Sequence, residues 1–148
     1  MSDPVILLIE DNPDDAELTM LAFEEGGIAN RILVARDGEQ ALEWLFGTAP
    51  GASAELVPGV VLLDLKLPKV SGLDVLKRIR SEPKTSCLPV VVLTSSAEDE
   101  DIMRSYSLGA NAYVRKPVDY AQFVQAARTL GLFWLMVNQP PPRRRSCG

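Results

Sequence analysis

None of the 148 residues is a histidine. That absence removes Ser-His-Asp triads, Cys-His dyads and the common zinc signatures. Any chemistry must therefore use carboxylates, hydroxyls, lysine or a borrowed metal. Cysteine is nearly absent too. Cys87 precedes an apolar run and Cys147 is next to last in a Pro/Arg-rich tail. Such a pair reads as neither a disulfide framework nor a metal site, and a reducing cytoplasm is expected. No run approaches the roughly 18 apolar residues a membrane span needs. Met1-Ser2-Asp3-Pro4 has neither the basic nor the apolar region of a signal peptide. Positive charge is in deficit: 15 Lys and Arg stand against 20 Asp and Glu, a net charge of −5. Arg143, Arg144 and Arg145 lie in the tail, so the body is more acidic still. An acidic body argues against nonspecific nucleic-acid binding.

What is present suits one α/β domain of well-filled core, with 47% hydrophobic residues. The organising stretch is Gly59-Val60-Val61-Leu62-Leu63-Asp64-Leu65-Lys66-Leu67-Pro68. An unbroken Val/Leu run reads as a strand buried on both faces, the habit of parallel sheets. Asp64 stands where it ends, and Pro68 and Gly72 force a loop. Val5–Ile9 reads as a first strand ending in Glu10-Asp11-Asn12-Pro13-Asp14-Asp15. A helix is expected from about Asp14 to Glu25, with Leu18, Leu21 and Ala22 on one face and Gly26-Gly27 as its stop. Arg31–Ala35 reads as a second strand, nearer the edge, and Asp37 as the cap of a helix carrying Ala41, Leu42, Leu45 and Phe46. Residues 47–58 read as an exposed excursion. After the third strand a helix is expected over about 72–80. Leu88–Leu93 reads as a fourth strand ending in Thr94-Ser95-Ser96, then a helix from Glu98 to about Leu108. Ala112-Tyr113-Val114 reads as a fifth strand ending in Arg115-Lys116-Pro117, and Asp119 opens a last helix.

This alternation predicts a parallel five-stranded sheet with helices on both faces. Right-handed crossovers leave few arrangements, of which the flavodoxin-like order 2-1-3-4-5 is chosen. In that order strand one lies beside strand three, at the switch point where open α/β sheets bind ligands. Glu10, Asp11 and Asp64 would meet there, with Thr94 and Lys116 ending the next two strands at the same edge. Each residue alone reads as a cap or loop residue; together they read as a site. Crowded carboxylates repel unless a proton or cation intervenes, and oxygen ligands of this kind suit Mg2+. Asp64 can attack a phosphoryl group, Glu10 and Asp11 can hold the metal, Lys116 can pair with the incoming charge, and Thr94 can donate to a phosphoryl oxygen.

The set Glu10-Asp11, Asp64 with Pro68 and Gly72, Thr94, and Lys116-Pro117 behind Tyr113 resembles the receiver domains of two-component response regulators, the CheY-like family. The resemblance spans most of residues 5–137. It implies that Asp64 is the phosphoacceptor and that Glu10, Asp11 and Asp64 bind Mg2+ with the backbone carbonyl of Lys66. It also implies that Thr94 and Lys116 contact the phosphoryl group, and that the Lys116-Pro117 bond is cis. The donor would be a phosphohistidine on a sensor histidine kinase. Thr94 and Tyr113 would then switch the face made by the fourth helix, fifth strand and last helix. Such a chain is no enzyme, although it assists its own phosphorylation and dephosphorylation. Lys66 departs from the small or polar residue common two places after the acceptor.

The last helix is expected over about 119–137. Beyond Leu130 it becomes apolar all round, which one sheet face cannot bury. Phe133, Trp134, Met136 and Val137 are therefore expected to form a homodimer interface. The extension resembles that of regulators paired with bacterial and cyanobacterial phytochrome kinases. The expected organisation is a receiver domain over 1–138 and a Pro/Arg-rich tail over 139–148, with no chain left for an output domain. Three rivals remain: an aspartate-nucleophile phosphatase, disfavoured by Lys66 where a second acid would stand; a flavodoxin, disfavoured by acids where a phosphate must bind; and an interaction module independent of phosphorylation.

Overall fold

The computed structural model describes residues 5–47, 57–96, 98–116 and 119–130. Strands and helices alternate as β1 (Ile6–Ile9), α1 (Pro13–Glu25), β2 (Ile32–Ala35), α2 (Gly38–Phe46), β3 (Val60–Leu63), α3 (Gly72–Ser81), β4 (Val90–Thr94), α4 (Asp99–Ser107), β5 (Ala112–Arg115) and α5 (Tyr120–Leu130). All strand pairings are parallel, in the expected order β2-β1-β3-β4-β5.

Apolar side chains alternate between the two faces of the sheet. Leu7, Ile9, Val61, Leu63, Val90 and Val92 point into a core closed by Leu45 of α2 and by Val75, Leu76 and Ile79 of α3. Ile6, Leu8, Val60 and Leu62 point to the opposite core, closed by Ala16 and Phe23 of α1 and Ala127 of α5. Every residue of β1 and β3 is buried, which is why their runs carry no polar alternation.

Three expectations need correction, the first two in the sheet and α1. β4 begins at Val90, not Leu88. Pro89 has no N–H to give a ladder, and it enters the sheet only as an acceptor, from Val61 N–H at 2.9 Å. In α1, Ala22 is buried but Leu18 and Leu21 are 42% and 46% exposed. The buried stripe is Ala16, Thr19, Ala22 and Phe23. Phe23 sets that rotation by meeting Phe123 of α5 edge-on, with ring centroids 6.3 Å apart. Gly26 permits the approach, since a Cβ there would press on the Val124 carbonyl and Ala127.

Cys87 is disulfide-bonded, where the sequence reading expects a reducing environment and no disulfide framework. Outside the described residues are 48–56 of the excursion, the Lys116-Pro117 bond, the Phe133, Trp134, Met136 and Val137 segment, and the tail over 139–148. Among the described residues no helix is long and apolar enough to cross a membrane.

Candidate functional site

Parallel pairing brings the acids together. Ile9 is the register partner of Leu63, so the residues that follow them, Glu10 and Asp64, leave the sheet side by side. Asp64 N–H donates to the Ile9 carbonyl at 3.0 Å and Glu10 N–H to that of Ala35 at 2.9 Å. Both side chains are nearly closed off, at 2% and 7% exposure, while Asp11 is exposed. One carboxylate oxygen from each of Glu10, Asp11 and Asp64 lies within 4.8 Å of the others.

The loop after β3 is folded hard against Asp64. Ser71 caps α3 through the Asp74 N–H, and Gly72 N–H donates to the Leu65 carbonyl at 2.9 Å. A Cβ on Gly72 would collide with the Asp64 carbonyl oxygen and Leu65 Cα. Lys69 takes φ 70°, in the left-handed region that costs a side-chain-bearing residue energy. Asp64 Oδ1 accepts from the Lys66 N–H at 3.2 Å, and the Lys66 side chain is exposed.

Lys116 supplies the counter-charge from the end of β5. Its own N–H donates to the Thr94 carbonyl at 2.7 Å. Its Nζ reaches Glu10 Oε1 at 2.7 Å, Asp15 Oδ2 at 2.9 Å and Asp64 Oδ2 at 3.4 Å. Burial disfavours the ammonium, but hydrogen bonds to Glu10 and Asp15 and the Asp64 charge outweigh it and raise the Lys116 pKa. Glu10 moves from 4.5 to about 7, chiefly by burial; the Lys116 hydrogen bond opposes this and the Asp64 charge adds to it.

Thr94 is fully buried at the end of β4, two residues beyond Val92, which pairs with Leu63. Tyr113 is half-buried on β5, and its hydroxyl donates to the Ser96 carbonyl at 2.9 Å. Thus Glu10, Asp11, Asp64, Thr94 and Lys116 come to one edge of the sheet, as expected. The sequence reading gives Asp15 no part in the site and prefers Thr94 to Ser96 as the hydroxyl facing it. Asp15 reads as one acid in the first turn of a helix, where acids are common, and Ser96 as a loop serine. A cavity of about 340 Å³ opens beside the acids, walled by Met20, Leu21, Val34 and Arg36.

The donor set fits a hard divalent cation: clustered carboxylate oxygens, no sulfur or imidazole, and a buried glutamate whose charge one ammonium does not fully support. Chemically, the edge combines a nearly buried carboxylate, a metal-competent acid cluster, a lysine and a buried hydroxyl.

Comparison with known proteins agrees. Residues 6–128 match the response regulator receiver domain family. The bacteriophytochrome response regulator RtBRR is 50% identical and superposes with a TM-score of 0.75, covering 97% of this chain and 87% of its own. Response regulator Rcp1 of Synechocystis is 34% identical over 131 residues, 88% of each chain. Its Mn(2+)-bound crystal structure gives a TM-score of 0.80, at 32% identity, over 94% of this chain and 99% of its own. A protein of Methanothrix harundinacea named "probable methanogenesis regulatory protein FilR2" is 41% identical over 140 residues, 94% of this chain and 89% of its own.

Proposed function

The chain belongs to the response regulator receiver domain family, whose general function is phosphorylation on aspartate, and on that premise we propose that Asp64 is its phosphoacceptor. An Asp64 oxygen attacks the phosphorus of a phosphohistidine on a sensor histidine kinase. The P–O bond forms, the P–N bond breaks, and the electron pair returns to the imidazole. The observation that carries this reading is the position of Asp64, walled by Glu10 and Asp11 and contacted by Lys116. Glu10, Asp11 and Asp64, with the Lys66 carbonyl, would hold Mg2+, which when bound neutralises charge on the transferring oxygens. Lys116 pairs with the phosphoryl group, and the Thr94 hydroxyl donates to it. Tyr113 reports the change to the α4–β5–α5 face, and the same groups support the slow loss of the phosphate.

The kinase we infer is a cytoplasmic phytochrome-type one, a reading supported by the 50% identity to RtBRR. The apolar segment Phe133, Trp134, Met136 and Val137 supports a homodimer, which sedimentation would check. The decisive experiment mixes the protein with radiolabelled phospho-kinase and Mg2+. Label should pass to the native protein, fail to pass to Asp64→Asn, and fail with EDTA. Equal labelling of Asp64→Asn would sink the assignment.

A further inference from the structure

α4 is attached to the sheet unlike its neighbours. α1 buries Phe23, α2 Leu45 and α3 Leu76 and Ile79. The side chain α4 buries is Ser105, and its hydroxyl has no partner among the described residues. The C-terminal end of α4 is nevertheless fastened. Leu108 packs on the core, and Arg80 donates to the Gly109 carbonyl from Nε at 3.0 Å and Nη2 at 2.8 Å.

Among the described residues no side chain of the first turn of α4 belongs to either apolar core, and its hydrogen bonds are to polar groups. The cap residue, Glu98, makes no side-chain cap bond. Ser96 takes over that task. Its Oγ donates to Asp101 Oδ2 at 2.6 Å and accepts from the Glu98 N–H at 3.3 Å. A short O–H···O⁻ bond of this kind is among the stronger hydrogen bonds a protein makes. Ser96 is 4% exposed and Asp101 half-buried, so the bond is partly shielded from water. The same residue touches the site groups: its carbonyl accepts from the Tyr113 hydroxyl at 2.9 Å, and its N–H points to Thr94 Oγ1 at 3.5 Å.

We propose that Ser96 is a positioning residue whose hydrogen bond to Asp101 latches the first turn of α4, and that displacement of Thr94 and Tyr113 opens this latch so that α4 swings about its Arg80–Gly109 anchor. The latch belongs to the resting protein; only its trigger rests on the acceptor reading above. It goes beyond that reading by naming which bond lets go and which end of the helix stays.

Amide hydrogen exchange on the full chain tests it, using Ser96→Ala, Asp101→Ala and the double variant. The probes are the amides of Ile102, Met103 and Arg104, since Ile102 N–H donates to the Glu98 carbonyl at 3.1 Å. Each single variant should exchange there about tenfold faster, as loss of a charge-assisted bond implies. Ser96→Ala also removes the acceptor of the Glu98 N–H, so the double variant should be no faster than Ser96→Ala alone, because the bond to Asp101 is already lost there. Leu108, Ala110 and the amides of β1 and β3 should keep their native rates. Unchanged rates at 102–104, multiplicative effects in the double variant, or acceleration spread through β1 and β3 would each overturn the latch. Beryllofluoride with Mg2+ should speed exchange at 102–104 in the native protein and add little in Ser96→Ala. No response in native protein that still accepts phosphate on Asp64 overturns the trigger alone. Failure of Asp64 to take label would overturn the acceptor reading and leave the latch result standing.

Discussion

Lys116 Nζ lies 2.7 Å from Glu10 Oε1, although 106 positions separate the two in the chain. The contact ties the end of β5 to the end of β1, with β3 and β4 lying between them in the sheet. It also sets the charge of the pocket, because the same ammonium touches Asp15 and Asp64.

Lys116→Met should uncover that dependence. Glu10 would be left buried beside Asp64 without its partner, and breaking such a pair is costly. The loss should be about 2–3 kcal/mol in urea unfolding without Mg2+, reduced from a fully buried case because Asp15 is 39% exposed. Phosphoryl transfer should fall below detection. A variant as stable as the native protein would show that the ion pairs contribute nothing net.

Asp64→Asn should separate folding from function. Asp64 is drawn to Lys116 and repelled by Glu10 and Asp11, so its neutralisation should change stability by about 1 kcal/mol or less. The rise in Tm that saturating Mg2+ gives the native protein should shrink, since one ligand is weakened. Differential scanning fluorimetry with and without Mg2+ reads both effects. An undiminished Mg2+ shift would place the metal elsewhere.

The pH dependence follows from Glu10. Its folded pKa of about 7 lies above the ordinary 4.5, so the folded state holds the proton more tightly than the unfolded chain. The resulting stability is fully present below pH 4.5 and is lost as pH rises towards and through 7. The loss should be about 3 kcal/mol in metal-free protein, isolated by subtracting the profile of Glu10→Gln. Mg2+ competes with that proton, so its apparent affinity should weaken as pH falls from 8 to 6. Parallel profiles for native protein and Glu10→Gln would contradict this.

Gly72→Ala should damage the site from beneath. The new methyl meets the Asp64 carbonyl and Leu65 backbone, neither of which can rotate away. A cost of about 2–3 kcal/mol is expected, at the upper end of overpacking. Acetyl phosphate labelling should fall further than stability explains, because the strand end carrying Asp64 must shift. A well-folded variant with native labelling would mean that the loop yields instead.

The strands and the polar residues that end them were legible because buried parallel strands leave long apolar runs, each closed by a polar residue; the order that brings Glu10, Asp11 and Asp64 together is a choice among common ones, which the pairing bears out. Thr94 and Lys116 were legible for the same reason. Asp15 was not: an acid in a first helical turn has an ordinary explanation, and its bond to Lys116 depends on where the first turn of α1 meets the end of β5. The rotation of α1 was equally hidden, since Leu18 and Leu21 look more apolar than Ala16 and Thr19. The edge-on fit of Phe23 against Phe123 decided it. Ser96 was obscured by its neighbours, for in Thr94-Ser95-Ser96 only depth within the fold tells one hydroxyl from the next.

β5 joins the sheet through β4, at its outer margin, and it delivers the one lysine that reaches Asp64 among the described residues. A chain cut or halted before that strand still carries its acids but has no cation to reconcile them. If Lys116 acts as proposed, readiness to receive a phosphoryl group is conditional on finished folding, and a chain ending before β5 should take no label on Asp64.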